Sequence, residues 1–422
     1  MQQSLTFGSA RRYRGLAIGA TGLMLAGLAI GVPNQPADAA GRCGSSVTNL
    51  NLLSKQRFAG DSVLRRYKAT VDYPGATGWV DQTANALYTV LPGSATPTLL
   101  NSKIGDRATT GSMVSGQQPS ALAAINGDFF VTPTIRGREV ELSRGPMVRD
   151  GRILRADRQR GKVVGVDVSG APFGGEVGVR GQIRPDGGQA IDLAAVNWHK
   201  IQSGGVTLYT SNWSSLSSSP RPAGDAEWVL NGRNKIVEIR SATKNTASLG
   251  KAVDSGTRVI AFPSTYALVA ISAAVGDRVA VKTRQSTSTG VRLMTAVGRG
   301  VNLVAAGVAA PLGCDAYDHS KAARPRTVIG WTKTGAWRAM TVPGTHFDGV
   351  GLRLGGFGLS NEAALAKKLG MYYAYEVDGG GSTTLYTRSK AGKWTRRDLF
   401  GVTGGTYERA VTNGVAFLNT AP

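Results

Sequence analysis

The apolar positions of this chain fall in short runs, not in long periodic stretches. NALYTVL (85–91), SALAAINGDFF (120–130), KVVGVDV (162–168), GVTLYT (205–210), RVIAF (258–262), DRVAVKT (277–283), RTVIGWT (326–332), YYAYEV (372–377) and NGVAFL (413–418) are each of strand length, and glycine, proline or polar turn residues bound them. One stretch has helical spacing instead. In SNEAALAKKLG (360–370), Ala364, Leu365 and Leu369 share a face, with Ser360 placed as N-cap, Glu362 in the first turn, Lys367 and Lys368 in the last turn and Gly370 as C-cap. The pattern predicts an α+β class: strand-rich mixed sheets with few helices. Residues from about 150 to 290 read as a strand-rich middle section, and SNWSSLSSSPRPAG (211–224) as a loop following GVTLYT.

The amino end departs from this pattern. Arg11, Arg12 and Arg14 precede the apolar run GLAIGATGLMLAGLAIGV (15–32), and PADAA follows with Ala37 and Ala39 at small-x-small spacing. These are the parts of a secretory signal peptide over residues 1–39, and no later apolar run is long enough to cross a bilayer, so no stable membrane anchor is expected after its removal. Residues 40–84 then form an N-terminal segment and residues 85–420 the main domain. An exported chain with two cysteines, Cys43 and Cys314, is expected to pair them in one disulfide. The paired arginines leave Sec and Tat export both open.

Charge changes the picture next. The formal net charge is +22, and loss of a leader holding three arginines and Asp38 leaves +20. A field of that sign gathers polyanions. The dense clusters are only RRYK (65–68), RADRQRGK (155–162) and KWTRR (393–397), with no zinc-finger spacing and no RNP-like aromatic motif, so nucleic acid is not the expected partner. Phosphate-rich or acidic cell-wall polymers fit an exported basic protein better, beside the plainer alternative of a solvated basic face.

Several chemistries lack their signature. There is no GxxxxGK[ST], no GxSxG, no HExxH and no CxxC, and only three histidines in all. Carboxylates, arginines and backbone amides remain. In AAINGDFF (123–130), Asn126, Gly127 and Asp128 form either a tight turn over buried phenylalanines or a sugar-holding group. Arg326, opening RTVIGW, either pairs with an acid on a neighbouring strand or forks onto a phosphate. EVDGGGSTT (376–384) is too short for a Gly-Ser tether and lies between two strands. It reads as a turn whose glycines admit a ligand, whose successive amides form an anion nest, and whose acid, Asp378, sits at a strand end. Glu408-Arg409 precede the last strand as a surface ion pair or as site residues.

Taken in order, AINGDFF, PRTVIGW, GLSNEAALAKKLG, YEVDGGGSTTLY and YERAVTNGVAF resemble the phosphodiester glycosidase family, and VNWHK, LYTSNW, GDRVAVK and VGRGVNLV (297–304) fit the intervening part. The resemblance runs from about Asn85 to Leu418. It implies an enzyme, a hydrolase that cleaves the C1–O–phosphate bond of sugar-1-phosphodiesters of the N-acetylglucosamine type. The two competing expectations are a non-catalytic phosphoglycan-binding protein and a phosphodiesterase that breaks the other P–O bond. Phosphate leaves readily, so the demands are a carboxylate for an oxocarbenium-like centre and donors for the departing phosphate. The resemblance implies Asp378 as principal carboxylate and Glu408 as the second. Arg326 becomes the phosphate ligand, and Gly379, Gly380, Gly381, Ser382 and Thr383 the cradle, with Arg409 and Asn413 nearby. Asn126, Gly127 and Asp128 would position the sugar, although many members read NGGFF where this chain has Asp128. No cofactor is required by such chemistry; a calcium ion would use Asp378 or Asp128, and no ligand spacing demands one.

Overall fold

The computed structural model describes residues 47–58, 60, 62–71, 82–91, 95–135, 138–200, 204–213, 226–241, 253–310, 312, 325–342, 357–397 and 408–419. The leader (1–39) and the expected Cys43–Cys314 bridge lie outside them. Among the described residues there are twenty-eight strands and three α-helices, so the chain is mostly β and the α+β label fits only loosely.

Three sheets carry the fold. The first has eight strands in the order Val47–Arg57, Val63–Val71, Gln82–Leu91, Trp337–Val342, Arg326–Trp331, Tyr373–Glu376, Asn302–Ala305, Val308–Ala309. Every pairing in it is antiparallel. The second has five antiparallel strands: Trp394–Arg396, Leu385–Arg388, Ala121–Asn126, Asn413–Leu418 and Thr96–Asn101. The third has eleven strands and collects the middle section; its one parallel pair joins Ile191–Val196 to Val206–Thr210. The middle section has its own core, where Trp228 meets Phe262 edge-on at 4.5 Å and donates its indole N–H to the Ala270 carbonyl at 2.7 Å.

The sheets pack where their apolar faces coincide. Leu99, Ile125, Leu385, Val415 and Phe417 of the five-stranded sheet join Ile329, Trp331 and Tyr375 of the eight-stranded sheet and Val164, Val166 and Val297 of the eleven-stranded sheet in one buried cluster. The opposite face of the five-stranded sheet is covered by the helix Thr110–Gln117 through Met113 and Val114. The helix Leu359–Lys368 covers the eight-stranded sheet, burying Leu365 and Ala366 against Val304, Val328 and Met340. Its end is a Schellman motif. Gly370, at φ +82°, donates to Lys367 and Met371 donates to Ala366. Its start differs from the sequence expectation. Gly358 is the N-cap, and Ser360 lies inside the first turn with its hydroxyl donated to the Leu312 carbonyl at 3.0 Å.

Candidate active site

The three motifs converge because of sheet register. Ala121–Asn126 ends where its antiparallel neighbours Leu385–Arg388 and Asn413–Leu418 begin, with Ile125 opposite Leu385 and Asn126 opposite Gly414. Asn126-Gly127-Asp128, Ser382-Thr383-Thr384 and Glu408–Asn413 therefore gather at one sheet end. The strand Tyr373–Glu376 of the other sheet arrives there too, and Val377–Thr384 is the crossover from one sheet to the other.

Asn126 is the knot of this crossover. It is fully buried. Its Nδ2 donates to the Asp378 carbonyl at 2.6 Å, while its Oδ1 accepts from Thr327 Oγ1 at 2.9 Å and from the Thr384 amide at 3.0 Å. The Asp378 amide returns a bond to the Gly127 carbonyl at 2.8 Å. Asn413 plays the matching part on the other strand. Its carbonyl accepts from Gly127 N at 3.0 Å and its Oδ1 from Asp128 N at 2.7 Å. Both asparagines hold backbone, so they position the site's acids.

Those acids are Asp128 and Asp378. Asp128 is buried, and its Oδ2 accepts from Ser143 Oγ at 2.6 Å and from the Gly145 amide at 2.5 Å. Gly298 packs so closely that a β-carbon there would overlap the Asp128 carboxyl. Asp378 is partly exposed and accepts from the Gly379 amide at 2.9 Å. Burial pushes each carboxyl up to about 6 from 3.8, against the pull of hydrogen bonds and of a nearby arginine, Arg155 for Asp128 and Arg409 for Asp378. Asp128 itself raises Asp378, so the two feel one another's charge. Pairs of shifted carboxyls of this kind mark sites of acid–base and glycosyl chemistry.

The glycine turn is tighter than a nest of bare amides. Gly379 N–H bonds Asp378, Gly380 N–H bonds the Pro325 carbonyl, and the Ser382 and Thr383 amides close a 3₁₀ turn onto Gly379 and Gly380. Gly380 needs its missing side chain, at φ +58°. Among the described residues only the Gly381 amide of this run is left without a partner. Around it, Ser382 Oγ, Thr383 Oγ1, Thr412 Oγ1 and Asn413 Nδ2 are buried polar atoms without a hydrogen-bond partner of full geometry, although Ser382 still favours the charged form of Asp378.

Two expected roles are replaced. Arg326 is fully buried; Nη1 pairs with Glu376 Oε1 at 2.8 Å and Nε donates to the Phe357 carbonyl at 2.9 Å. The pairing with an acid on a neighbouring strand is what forms, and the guanidinium is not presented to a phosphate. Glu362 lies buried beside this pair, its carboxyl raised by burial and by Glu376. Glu408 also serves elsewhere. Its carboxylate accepts from Tyr386 Oη at 2.6 Å and from the Gly111 amide at 3.2 Å, in the first turn of the helix Thr110–Gln117. A carboxylate there complements the helix dipole. Asp128 is the acid whose charge reaches Asp378 here. Arg409 stacks over Phe130 at 4.7 Å and acts on Asp378 through its charge.

The middle section supplies residues to which sequence reasoning gave no role in the site. Arg155 is fully buried and faces Asp128 electrostatically; it donates to the Asn197 carbonyl at 2.7 Å, meets His199 Nδ1 at 3.2 Å and lies over Trp198 at 4.2 Å. Burial lowers the Arg155 pKa to about 10. Burial and Arg155 lower His199 to about 4, so the ring is neutral near pH 7, and with Arg155 donating to Nδ1 its proton sits on Nε2. The signal available was an arginine inside the apolar strand RILRAD and the VNWHK segment.

Among the described residues no cluster of three or more histidine, cysteine or acidic side chains is arranged for a metal. No helix among them is long and apolar enough to cross a membrane.

Comparison with known proteins extends these observations. The fold is shared with a candidate exported protein of Burkholderia pseudomallei K96243 (TM-score 0.65, 17% identity, 88% of this chain and 97% of that one). It is shared also with a hypothetical protein of Synechocystis (TM-score 0.56, 15% identity, 89% and 80%). The zebrafish N-acetylglucosamine-1-phosphodiester alpha-N-acetylglucosaminidase catalytic domain, auto-inhibited by its pro-peptide, aligns at TM-score 0.42 and 12% identity over 88% of this chain and 87% of that one. No curated protein matches the chain. The phosphodiester glycosidase family model matches residues 224–418, which hold Asp378, Arg409 and Asn413. Residues 224–418 are thus similar to the phosphodiester glycosidase family.

Proposed function

We propose that this protein is an exported glycosidase that hydrolyses the C1–O bond of sugar-1-phosphodiesters, with N-acetylglucosamine-like sugars on anionic wall or capsular polymers as the substrate class. The observation that carries this reading is the placing of two acids, Asp128 and Asp378, at the sheet crossover, with the second acid partly exposed and the first buried. Asp378, ionised, meets the positive charge that develops at C1. Water adds to C1 and gives a proton to Asp378, and the phosphomonoester leaves with the bonding electrons. Arg409, the Gly381 amide and the hydroxyls of Ser382 and Thr383 are the donors for the departing phosphate. Asp128, held by Ser143 and Gly145 and through its amide by Asn413, raises the pKa of Asp378. His199 Nε2–H and Trp198 offer a neutral donor and a ring face for the sugar. The leader expected at residues 1–39 and the candidate exported neighbour support a secreted protein.

The reaction is tested by the products of an N-acetylglucosamine-1-phosphodiester. Free sugar with a phosphomonoester supports the proposal. Sugar-1-phosphate would assign cleavage of the other P–O bond, and no product across a panel of sugars would assign a binding protein.

A further inference from the structure

Outside the carboxylate site, the eleven-stranded sheet carries a cleft of about 670 Å³ with a cationic wall. Arg158, Arg180, Gln182, Asp192, Lys282 and Arg284 line it. The register of Pro172–Pro185 against Val279–Thr287 sets Arg180 directly opposite Arg284 and Gln182 opposite Lys282. Period-two alternation puts all four on one face. Like charges set directly opposite on a sheet oppose its pairing. Here nothing among the described residues offsets them. Arg180, Lys282 and Arg284 are exposed and make no ion pair, and the cleft's one carboxylate, Asp192, is held by Arg158 at 2.9 Å. Arg160 extends the stripe by donating to Ser286, two residues beyond Arg284. An ordinary solvated basic face intersperses acids; this one is concave and leaves facing arginines unneutralised.

The arrangement also selects among anions. A lone phosphate is best held by a forked, buried arginine. These cations are exposed and spread, about 5 Å apart across strands and about 7 Å along them, which suits charges repeated along a chain. Among the described residues no aromatic side chain lines the cleft, so bases find no stacking platform in them. The strands that wall the cleft also run to the carboxylate site. Arg158 lies three residues past Arg155, about 10 Å of extended chain, and Asp192 and Leu193 lead along the strand Ile191–Val196 to Asn197.

We propose that this cleft binds a linear, phosphodiester-linked polyol or sugar polymer through its repeated charges. The proposal deepens the hydrolase reading, since the bound polymer would be that enzyme's substrate, but its binding test does not depend on turnover. Fluorescent poly(glycerol phosphate) is titrated by anisotropy against wild type and against Arg180→Glu/Lys282→Glu/Arg284→Glu at two salt concentrations. The wild type binds with affinity that falls steeply with salt, and the triple variant binds at least about tenfold more weakly with a shallower slope. Hydrolysis of a small N-acetylglucosamine-1-phosphodiester stays at the wild-type rate in that variant. Because charge reversal could disturb the sheet, Arg180→Gln/Arg284→Gln is measured as well; it removes the facing repulsion and should weaken polymer binding while keeping the thermal midpoint. Wild-type polymer affinity in either variant overturns the proposal, as does tighter binding of single-stranded DNA of equal charge. If neither protein hydrolyses the small substrate yet binding still depends on these cations, the cleft stands and the hydrolase reading falls.

Discussion

At the scale of single residues, the site rests on two acids kept in unlike surroundings. Replacing Asp378 with Asn should lower kcat/KM by about 10²–10⁴-fold on a sugar-1-phosphodiester, with the folded state retained by circular dichroism. The same variant reports on linkage. Both carboxyls are raised in the folded protein to about 6 from 3.8, so they favour the fold while protonated, and that contribution is lost as pH rises through about 6. The Asn variant, which cannot ionise, should have the higher thermal midpoint above pH 6, with the difference closing below about pH 4. A constant difference across that range would remove the buried-carboxyl account. Gly298→Ala inserts a β-carbon into the space of the Asp128 carboxyl. It should cost about 1–3 kcal/mol in denaturant unfolding and depress kcat together with it. At this scale the sequence was informative about Asp378 and Asn126, because glycines after a strand end leave few other uses for an adjacent polar side chain. It left Arg326 open between an acid on a neighbouring strand and a phosphate, because its partner Glu376 lies 50 residues away and is adjacent only through sheet register.

At the scale of elements, the crossover between sheets does the positioning, and its braces should respond in stability before they respond in catalysis. Arg326→Met leaves Glu376 and Glu362 as buried acids without their cation. Removing one partner of a buried pair should cost about 3–5 kcal/mol in chemical unfolding. A variant of full stability with only a raised KM would return Arg326 to the role of phosphate ligand. Glu408→Gln tests the helix-terminus role of that acid. It keeps an acceptor for Gly111 and Tyr386 but loses the charge at the helix start, so unfolding should change by about 0.3–1 kcal/mol and kcat should change little. A large fall in kcat with unchanged stability would place Glu408 among the reacting groups. The strands themselves were legible from short apolar runs between turn residues. The N-cap of the helix Leu359–Lys368 was not, because Ser360, a good capping residue, is drawn inward to the Leu312 carbonyl and the helix starts before it.

At the scale of the whole molecule, the site is assembled from three sheets, and that is why a motif survey finds only part of it. The family match over residues 224–418 includes Asp378 and Arg409 but neither Asp128 nor Arg155, which the fold brings to the same place. VNWHK stood out in the sequence, yet its bearing on Asp128 depends on Arg155, 44 residues before His199. The basic composition was equally visible, while its concentration in one concave stripe depended on the pairing of Arg180 with Arg284. The central claim is that Asp378 directs water to the anomeric carbon and not to phosphorus. Hydrolysis of an N-acetylglucosamine-1-phosphodiester in oxygen-18 water tests it most directly. The account predicts heavy oxygen at C1 of the released sugar and none in the phosphomonoester, with release lost in Asp378→Asn; heavy oxygen in the phosphate would contradict it.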